Sequence, residues 1–387
     1  MPEFTLPHIA HMTAPDASLA GSHLAIDLGA LADNYHKLSQ KTGPAECAAV
    51  IKADAYGLGL ELAAQALWKA GARTFFVAHP QEGEKARKTL PGAIIYVLNG
   101  LVGDDSPDAY DYYRVHQLRP VLGCREEVQL WQSYCENKGE ALPCAIHFDT
   151  GMNRLGLSLA DAQELSALWQ KVKPAFGLEL IISHLVCADE PDHRKNRDQL
   201  EKFTAIRALF PEIKASLANS GGIFLGPDYH FDLCRPGIAL YGGAVVSGEK
   251  SPMKVVATLK SRILSTRKVA KGQSVSYGAT ETTGRDSRLA ILCLGYADGY
   301  LRTASSSDVR KGAKVCINGF EAPIIGRVTM DLIIVDISDI AEDKAKRGDW
   351  AEFFGSNIAI DDVATAANSI SYELLTSLGL RALRSYQ

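Results

Sequence analysis

Between about residues 48 and 242, the sequence alternates short apolar or β-branched runs with amphipathic helical patterns. Eight runs have the composition of buried strands: 48–53, 74–79, 93–99, 119–123, 145–150, 180–185, 214–219 and 237–242. The helix predicted after the first strand has one apolar stripe, formed by Leu60, Ala63, Ala64, Leu67 and Trp68. Ser158, followed three residues later by Asp161, predicts the capped start of another helix. Eight alternating units with short connections predict an α/β fold, a (β/α)8 TIM-type barrel.

The pattern changes near residue 253. Strand-like runs separated by turn residues follow, and two of them are joined by Asn318-Gly319, a dipeptide typical of two-residue hairpin turns. Helical patterns at about 361–367 and 371–378 come last. The sequence therefore predicts a second, mainly β domain after the barrel.

These patterns divide the 387 residues into three parts. We expect residues 1–21 to form a flexible tail, 22–253 the barrel and 254–387 the β domain. The short run 24–27 is expected to pair with the β domain, because eight barrel strands are already counted.

Composition excludes several classes of function. The net charge of -4 leaves no basic surface for nucleic acid or an anionic membrane. No apolar run approaches the roughly 18 residues of a membrane-spanning helix. The eight cysteines contain no CxxC pair, which favours free thiols in a reducing cytoplasm over disulfides or a zinc site. The N-terminus lacks the pattern of a signal peptide. We therefore expect a cytoplasmic protein without a metal site.

Lys52 stands at the end of the first predicted strand, within AVIKADAYGLG (49–59). A lysine at the end of a core strand loses hydration, which lowers the pKa of its amine. A neutral amine is what an imine with an aldehyde requires. Taken alone, the pattern favours a simpler interpretation, a lysine whose amine reaches solvent at the strand end. The residues at the ends of the other predicted strands favour the reactive amine instead.

Active sites of such barrels lie at the carboxyl ends of the strands. The residues predicted there are Lys52, the stretch from Asp149 to Arg154, His184, Asn219, Ser220, Arg235, Gly237 and Ile238. They bring together an amine, an imidazole, two guanidinium groups and glycine-rich turns at the last two strands, where barrels usually hold phosphate. An aldehyde cofactor with a phosphate fits this set, namely pyridoxal 5′-phosphate (PLP).

Nine short motifs extend this pattern over nearly the whole chain from about residue 22: AVIKADAYGLG (49–59), DTGMNRLG (149–156), SHL (183–185), ANSGG (218–222), RPGIALYG (235–242), VSYGAT (275–280), GYADGY (295–300), GRVTMD (326–331) and SYE (371–373). In this order they resemble the alanine racemases. The resemblance implies a PLP-binding barrel with a β domain, and a homodimer whose active sites use both subunits. It also implies interconversion of L- and D-alanine, which supplies D-alanine for peptidoglycan.

The resemblance implies a two-base mechanism. Lys52 would bind the cofactor and act on one face of the substrate Cα, and Tyr277 of the partner subunit would act on the other. The free phenol has a pKa near 10, so Tyr277 needs positive charge nearby. The simpler interpretation of Tyr277 is a tyrosine that fills an interface.

The remaining roles also follow from the resemblance. Arg154 would hold the phenolic oxygen of the cofactor near the substrate carboxylate, Arg235 the pyridine nitrogen, and His184 the ring face. The phosphate would bind Tyr56, Ser220, Gly237, Ile238 and Tyr372, and Asn219 would also bind the cofactor. The backbone N–H of Met330, from the partner subunit, would contact the substrate carboxylate, and Tyr296 with Tyr372 would narrow the entrance. The simpler interpretations are a salt bridge at the barrel rim for Arg235 and a buried core histidine for His184.

One position departs from the family. Where many members have a lysine, often carbamylated, two residues before the DTGM aspartate, this chain has His147. An imidazole forms no stable carbamate, so we expect an anion, water or the neutral ring of His147 to position Arg154, and activity independent of bicarbonate.

Three alternatives remain. A broad-specificity amino-acid racemase is one, although such enzymes are typically exported. A non-catalytic PLP-binding carrier usually lacks a second domain. A basic amino acid decarboxylase would need a carboxylate at the pyridine nitrogen, where this chain has Arg235.

Overall fold

The computed structural model describes residues 18–104 and 106–387. Residues 1–17, most of the predicted tail, lie outside the described residues. The chain forms two compact units. One is Asp27–Val256, and the other combines Ala257–Gln387 with the strand β1 (Ser22–Ile26).

The first unit alternates strands with helices. Its elements are α1 (Leu28–Thr42), β2 (Glu46–Cys47), β3 (Ala49–Val50), the helical turn α2 (Lys52–Tyr56), α3 (Leu60–Lys69), β4 (Thr74–Val77), α4 (Pro80–Thr89), β5 (Ile94–Val97), α5 (Pro107–Val115), β6 (Leu118–Leu122), α6 (Arg125–Lys138), β7 (Pro143–His147), α7 (Leu159–Trp169), β8 (Gly177–Ile182), α8 (Arg194–Leu209), β9 (Lys214–Ser216), α9 (Ser220–Leu225) and β10 (Leu233–Cys234). Strands β3 to β9 form one parallel sheet in sequence order. This order is that of a barrel with helical crossovers.

The short strand β10 closes the barrel. Leu233 and Cys234 pair in parallel with the two residues of β2, directly before β3. On the other side, the N–H of Asp232 donates to the carbonyl of Ala215 (3.0 Å) and that of Arg235 to Ala218 (2.9 Å). The predicted (β/α)8 barrel is therefore confirmed.

The position predicted for the eighth strand is wrong. Residues 237–242 form successive turns, in which the N–H of Leu240 donates to Gly237 (2.9 Å) and that of Tyr241 to Ile238 (3.0 Å). The run is apolar because it is buried, and burial alone does not distinguish a strand from a turn.

Local sequence signals account for several element boundaries. At the start of α7, the Ser158 hydroxyl accepts from the Asp161 N–H (3.1 Å), and the Asp161 carboxylate accepts from the Ser158 N–H (2.7 Å). The predicted capping box is thus confirmed. Helix α3 buries Leu60, Ala63, Ala64 and Leu67, as the predicted stripe requires. Strand β4 is buried on both faces, and three of its four residues, Phe75, Phe76 and Val77, are apolar.

The second unit is mainly β-sheet. Its strands after β1 are β11 (Ala257–Val269), β12 (Ser274–Val275), β13 (Glu281–Thr282), β14 (Ser287–Leu292), β15 (Lys314–Ile317), β16 (Phe320–Pro323), β17 (Ile333–Asp336), β18 (Trp350–Phe354) and β19 (Leu383–Tyr386), with helices α10 (Ile360–Ala366) and α11 (Ser371–Thr376). Strand β1 pairs antiparallel with β11 and parallel with β19. The long β11 also pairs with β14 and β18, so it is the centre of the sheet.

The predicted hairpin turn is confirmed. Strands β15 and β16 pair antiparallel, and Asn318 and Gly319 connect them with φ values of 48° and 87°. Both values are those of a type I′ turn, which asparagine and glycine tolerate best. Among the described residues, no helix is long and apolar enough to cross a bilayer, and no cluster of His, Cys, Asp and Glu side chains could hold a metal ion.

Candidate active site

Lys52 begins the turn α2, which is left-handed. Ala53, Asp54 and Ala55 have φ/ψ values near 53°/50°, 53°/46° and 56°/53°, and Tyr56 continues the run with φ 56°. Each such L-residue costs about 1–2 kcal/mol relative to a right-handed conformation. Since none of these residues is glycine, contacts from elsewhere must hold the turn.

Side chains and backbone groups around the turn provide those contacts. The Gly57 N–H donates to the Ala53 carbonyl (2.7 Å), and the Glu82 carboxylate accepts from the Ala53 N–H (2.7 Å). The Asp54 carboxylate accepts from the Leu60 N–H (3.0 Å), which fixes the turn to the start of α3. Hydrogen bonds therefore hold both ends of the turn.

The amine of Lys52 is largely buried and makes no hydrogen bond or ion pair with a described residue. Burial lowers its pKa below the usual 10.5, the positive charge of Arg154 lowers it further, and Glu82 opposes the shift. A lowered pKa increases the neutral fraction of the amine, the form that attacks an aldehyde.

Arg154 follows a rigid loop after β7. The Asp149 carboxylate accepts hydrogen bonds from the N–H groups of Gly151 (2.9 Å), Met152 (2.8 Å) and Asn153 (3.1 Å). The Arg154 guanidinium itself has no hydrogen-bond or ion-pair partner among the residues that the structure describes. An exposed cation without a partner, carried on a fixed loop, can bind an anion.

Arg235 is fully buried. Its Nη1 donates to the carbonyl (2.9 Å) and hydroxyl (2.5 Å) of Ser216, and its Nη2 donates to the carbonyl of Ser183 (2.5 Å). Its Nη2 also lies 3.4 Å from Nδ1 of His184. Its Nε–H has no such partner in the described part of the chain and remains able to donate.

Two histidines beside these arginines are neutral at pH 7. Burial lowers the pKa of His147 to about 4, and the charges of Arg235 and Arg154 add to the shift. Burial, with the same two arginines, lowers the pKa of His184 well below 6.5. The site therefore presents neutral imidazoles between guanidinium groups.

A cradle of small groups lies at the ends of the last two barrel strands. The Ser220 hydroxyl accepts from the N–H groups of Gly237 (2.9 Å) and Ala239 (3.2 Å). The N–H of Ile238, a residue only 1 % exposed, has no hydrogen-bond partner among the described residues. A buried N–H without an acceptor is costly, so this cradle fits an anion.

Two neighbouring residues complete the cradle. Asn219 caps α9, with its side-chain oxygen accepting from the Gly222 N–H (2.9 Å). Tyr56 stacks on Tyr241 with ring centroids 4.6 Å apart, and its phenolic oxygen would clash with a Cβ on Gly237. The cradle is thus formed by residues that carry a hydroxyl, an amide and a phenol.

Together, the structure brings all nine predicted barrel residues to these strand ends: Lys52, Tyr56, Arg154, His184, Asn219, Ser220, Arg235, Gly237 and Ile238. It places the other four predicted site residues in the β unit, where all are exposed to differing degrees: Tyr277 (73 %), Met330 (53 %), Tyr296 (41 %) and Tyr372 (41 %).

Hydrogen bonds connect the segments that carry these four residues. The Ser276 hydroxyl, next to Tyr277, donates to the Arg327 carbonyl (2.8 Å). The N–H of Tyr296 donates to the Thr329 carbonyl (3.0 Å), beside Met330. The N–H of Gly379, just after α11, donates to the Asp298 carbonyl (3.0 Å). The exposed side chains are therefore carried by a connected framework.

A comparison with known protein families shows to which family the chain belongs. Residues 26–245 match the N-terminal domain of alanine racemases, and residues 256–386 match the C-terminal domain. The chain belongs to the alanine racemase family. The prediction that it is an amino-acid racemase is confirmed at this level.

Individual alanine racemases are similar along nearly their full length. The alanine racemase of Rhizobium meliloti is 47 % identical over 97 % of this chain and 99 % of its own. A biosynthetic alanine racemase of Agrobacterium fabrum is also 47 % identical, over 94 % and 93 %.

Solved structures agree with this. The Bartonella henselae alanine racemase with covalently bound pyridoxal phosphate is 39 % identical, with a TM-score of 0.88 over 95 % of this chain and 100 % of its own. The biosynthetic alanine racemase of Pseudomonas aeruginosa is 32 % identical, with a TM-score of 0.87 over the same shares.

Sequence reasoning missed several residues that hold this candidate site together. Ser183 and Ser216 bind the buried guanidinium of Arg235, and Glu82 binds the backbone after Lys52. Only Glu82 had a visible signal, because a glutamate two residues after Pro80 is typical of the third position of a helix.

Proposed function

We propose that this chain interconverts L- and D-alanine with PLP bonded covalently to Lys52. The observation that carries the proposal is the buried amine of Lys52 at the same strand ends as the anion cradle around Ile238. The covalently bound pyridoxal phosphate of the Bartonella henselae relative supports the choice of cofactor.

The described residues fit this cofactor. In the proposal, Tyr56, Ser220, Gly237, Ile238 and Tyr372 would hold the phosphate, and Asn219 would also bind the cofactor. Among the described residues, the N–H of Ile238 has no acceptor, whereas that of Gly237 donates to the Ser220 hydroxyl, which also accepts from Ala239. His184 would bind the ring face. Arg154, which lacks a partner in the described chain, would bind the phenolic oxygen and the substrate carboxylate.

PLP, when bound, supplies an aldehyde for the substrate amine and an electron-withdrawing ring that acidifies the α-hydrogen. Arg235 would set the strength of that withdrawal. A guanidinium only donates hydrogen bonds, so its Nε–H would hold the pyridine nitrogen without protonating it. An unprotonated ring would withdraw electrons less strongly, which would favour proton exchange over loss of the carboxylate.

Racemisation requires a proton to leave one face of the α-carbon and return to the other. Lys52 moves the proton on one face. We propose that Tyr277, exposed on the β unit, moves it on the other face of a partner subunit's site in a homodimer, where the backbone N–H of Met330 contacts the substrate carboxylate. Tyr296 and Tyr372 narrow the entrance, which favours the methyl side chain of alanine.

We further propose a cytoplasmic enzyme that supplies D-alanine for peptidoglycan. The biosynthetic relatives support this role. If it is correct, disrupting the gene will make growth dependent on added D-alanine. Unimpaired growth without D-alanine would assign the chain to another role.

The decisive experiment incubates the purified protein and PLP with L-alanine in heavy water. We expect D-alanine to appear with deuterium at the α position, and a Lys52→Ala variant to form none. Absence of exchange would indicate a PLP carrier, and release of carbon dioxide a decarboxylase. Equal rates with bulkier amino acids would indicate a broad-specificity racemase.

A further inference from the structure

Glu82 connects two neighbouring strand ends of the barrel. It is the third residue of α4, and its Oε2 accepts from the N–H groups of Ala78 (2.8 Å) and His79 (3.2 Å), just after β4. Its Oε1 accepts from the N–H of Ala53 (2.7 Å), in the turn after β3. One half-buried carboxylate thus binds three backbone N–H groups of two segments.

The contact with Ala53 has a particular consequence. Ala53 is the first residue of the left-handed run and follows Lys52 directly. The direction of the Lys52 side chain depends on the backbone at residues 52 and 53, and an alanine does not hold a left-handed conformation by itself. The charge-assisted hydrogen bond from Ala53 to Glu82 supplies that restraint.

We propose that Glu82 is a positioning residue that holds the left-handed turn and thereby directs the Lys52 amine toward PLP. This inference rests on the proposed function, since it concerns the same amine. Within the described part of the chain, the Glu82 carboxylate accepts hydrogen bonds from backbone N–H groups only.

The barrel contains a matched control. Glu127 is the third residue of α6, and its carboxylate accepts from the N–H groups of Leu101 (2.8 Å) and Gly123 (2.6 Å), after β5 and β6. Its position in the helix and its connection of adjacent strand ends are the same as those of Glu82. The backbone that Glu127 holds is not that of the reactive lysine.

The test compares Glu82→Gln with Glu127→Gln in the full chain by hydrogen–deuterium exchange followed by peptide mass spectrometry, before and after addition of PLP. In Glu82→Gln we expect exchange of the peptide covering residues 52–58 to be about tenfold faster. We expect the PLP concentration that gives half-maximal borohydride labelling of Lys52 to rise about tenfold, with a lower kcat and an unchanged KM for alanine. In Glu127→Gln, faster exchange should be confined to the peptides around residues 101 and 123.

Equal loss of Lys52 labelling in both variants would overturn the proposal, because Glu82 would then be structural only. Unchanged exchange and labelling in Glu82→Gln would overturn it as well. Should Glu82→Gln fail to fold, Glu82→Asp makes the same comparison with the charge kept and the reach shortened by one methylene. Failure of the unsubstituted protein to bind PLP would refute the proposed function, while the exchange of residues 52–58 would still test the restraint on the turn.

Discussion

A Cβ on Gly237 would clash with the phenolic oxygen of Tyr56, and it would lie 3.1 Å from the ring carbon Cζ of that tyrosine. Tyr56 has little freedom to move away, since its ring stacks on buried Tyr241, whose hydroxyl donates to the Val50 carbonyl (2.9 Å). The absence of a side chain at residue 237 is therefore what allows Tyr56 to reach the cradle.

Replacing Gly237 by alanine should displace Tyr56 and weaken both folding and phosphate binding. We expect the free energy of unfolding to fall by about 1–3 kcal/mol, as is usual for an added methyl group in a packed core. Urea unfolding and PLP titration measure the two effects. Gly284→Ala, at a position with no neighbour within 4 Å of the new Cβ, is the control. Identical behaviour of the two variants would contradict this explanation.

The buried amine of Lys52 should make stability depend on pH. Because burial lowers its pKa below 10.5, the unfolded chain binds one more proton between the lowered pKa and 10.5, so stability rises with pH across that range. Lys52→Met removes the free-energy cost of burying the lysine amine. We expect the cofactor-free variant to be more stable than the parent at pH 7, with the difference shrinking as the pH approaches 10.5. Urea unfolding between pH 6 and 10 tests this, and a constant difference would be inconsistent with it.

Tyr277→Phe should slow exchange of the α-hydrogen of L-alanine with solvent more than that of D-alanine. Racemisation itself should slow equally in both directions at low substrate concentration, because the two enantiomers have equal free energy. Loss of a general acid or base typically costs about 10²–10⁴-fold in rate. Since the side chain is 73 % exposed, we expect little change in stability or in PLP binding. Loss of α-deuterium from each deuterated enantiomer, measured separately, decides the matter. Small and equal losses of exchange for both enantiomers would argue against a second base at this position.

His147 should make the protein sensitive to acid. Its pKa is lowered from 6.5 to about 4 by burial and by Arg235 and Arg154, so only the unfolded chain is protonated between these values. Stability is therefore lost as the pH falls from 6.5 to 4, by up to about 3 kcal/mol. His147→Gln should lose less over the same range. Unfolding curves at pH 4.5, 5.5 and 6.5 provide the measurement. Equal losses of stability in the parent and in the variant would rule out His147 as a source of the acid sensitivity.

Bicarbonate should leave the rate unchanged. A buried imidazole at residue 147 forms no stable carbamate, and Arg154 is carried on a loop that the Asp149 carboxylate already holds. Assays with sodium bicarbonate, against sodium chloride at equal ionic strength, test this. A marked rise specific to bicarbonate would show that a carbamate forms elsewhere in the site.

Seven of the eight predicted barrel strands overlap observed strands, because buried parallel strands are apolar runs bounded by turn residues. The prediction of the eighth strand was wrong for a physical reason. The run 237–242 is as apolar as a strand but folds into turns, whereas the true strand has two residues, Leu233 and Cys234. A strand that short carries no periodicity to detect.

The site was predictable where chemistry-bearing residues follow strands, as Lys52 and His184 do. The backbone conformation of the site was not predictable. The sequence Ala-Asp-Ala-Tyr has no preference for a left-handed turn, and the turn exists because Glu82 and the Asp54–Leu60 contact enforce it from outside. Tertiary hydrogen bonds of this kind leave no local pattern.

The pairing of β1 with β19 has a consequence for biosynthesis. His23 and Ser385, which are hydrogen-bonded in this pair, lie 362 residues apart. Strand β1 is synthesised before the 27–256 unit, and its parallel neighbour β19 is synthesised after that unit. We therefore expect the barrel to fold cotranslationally, before β19 can pair with β1.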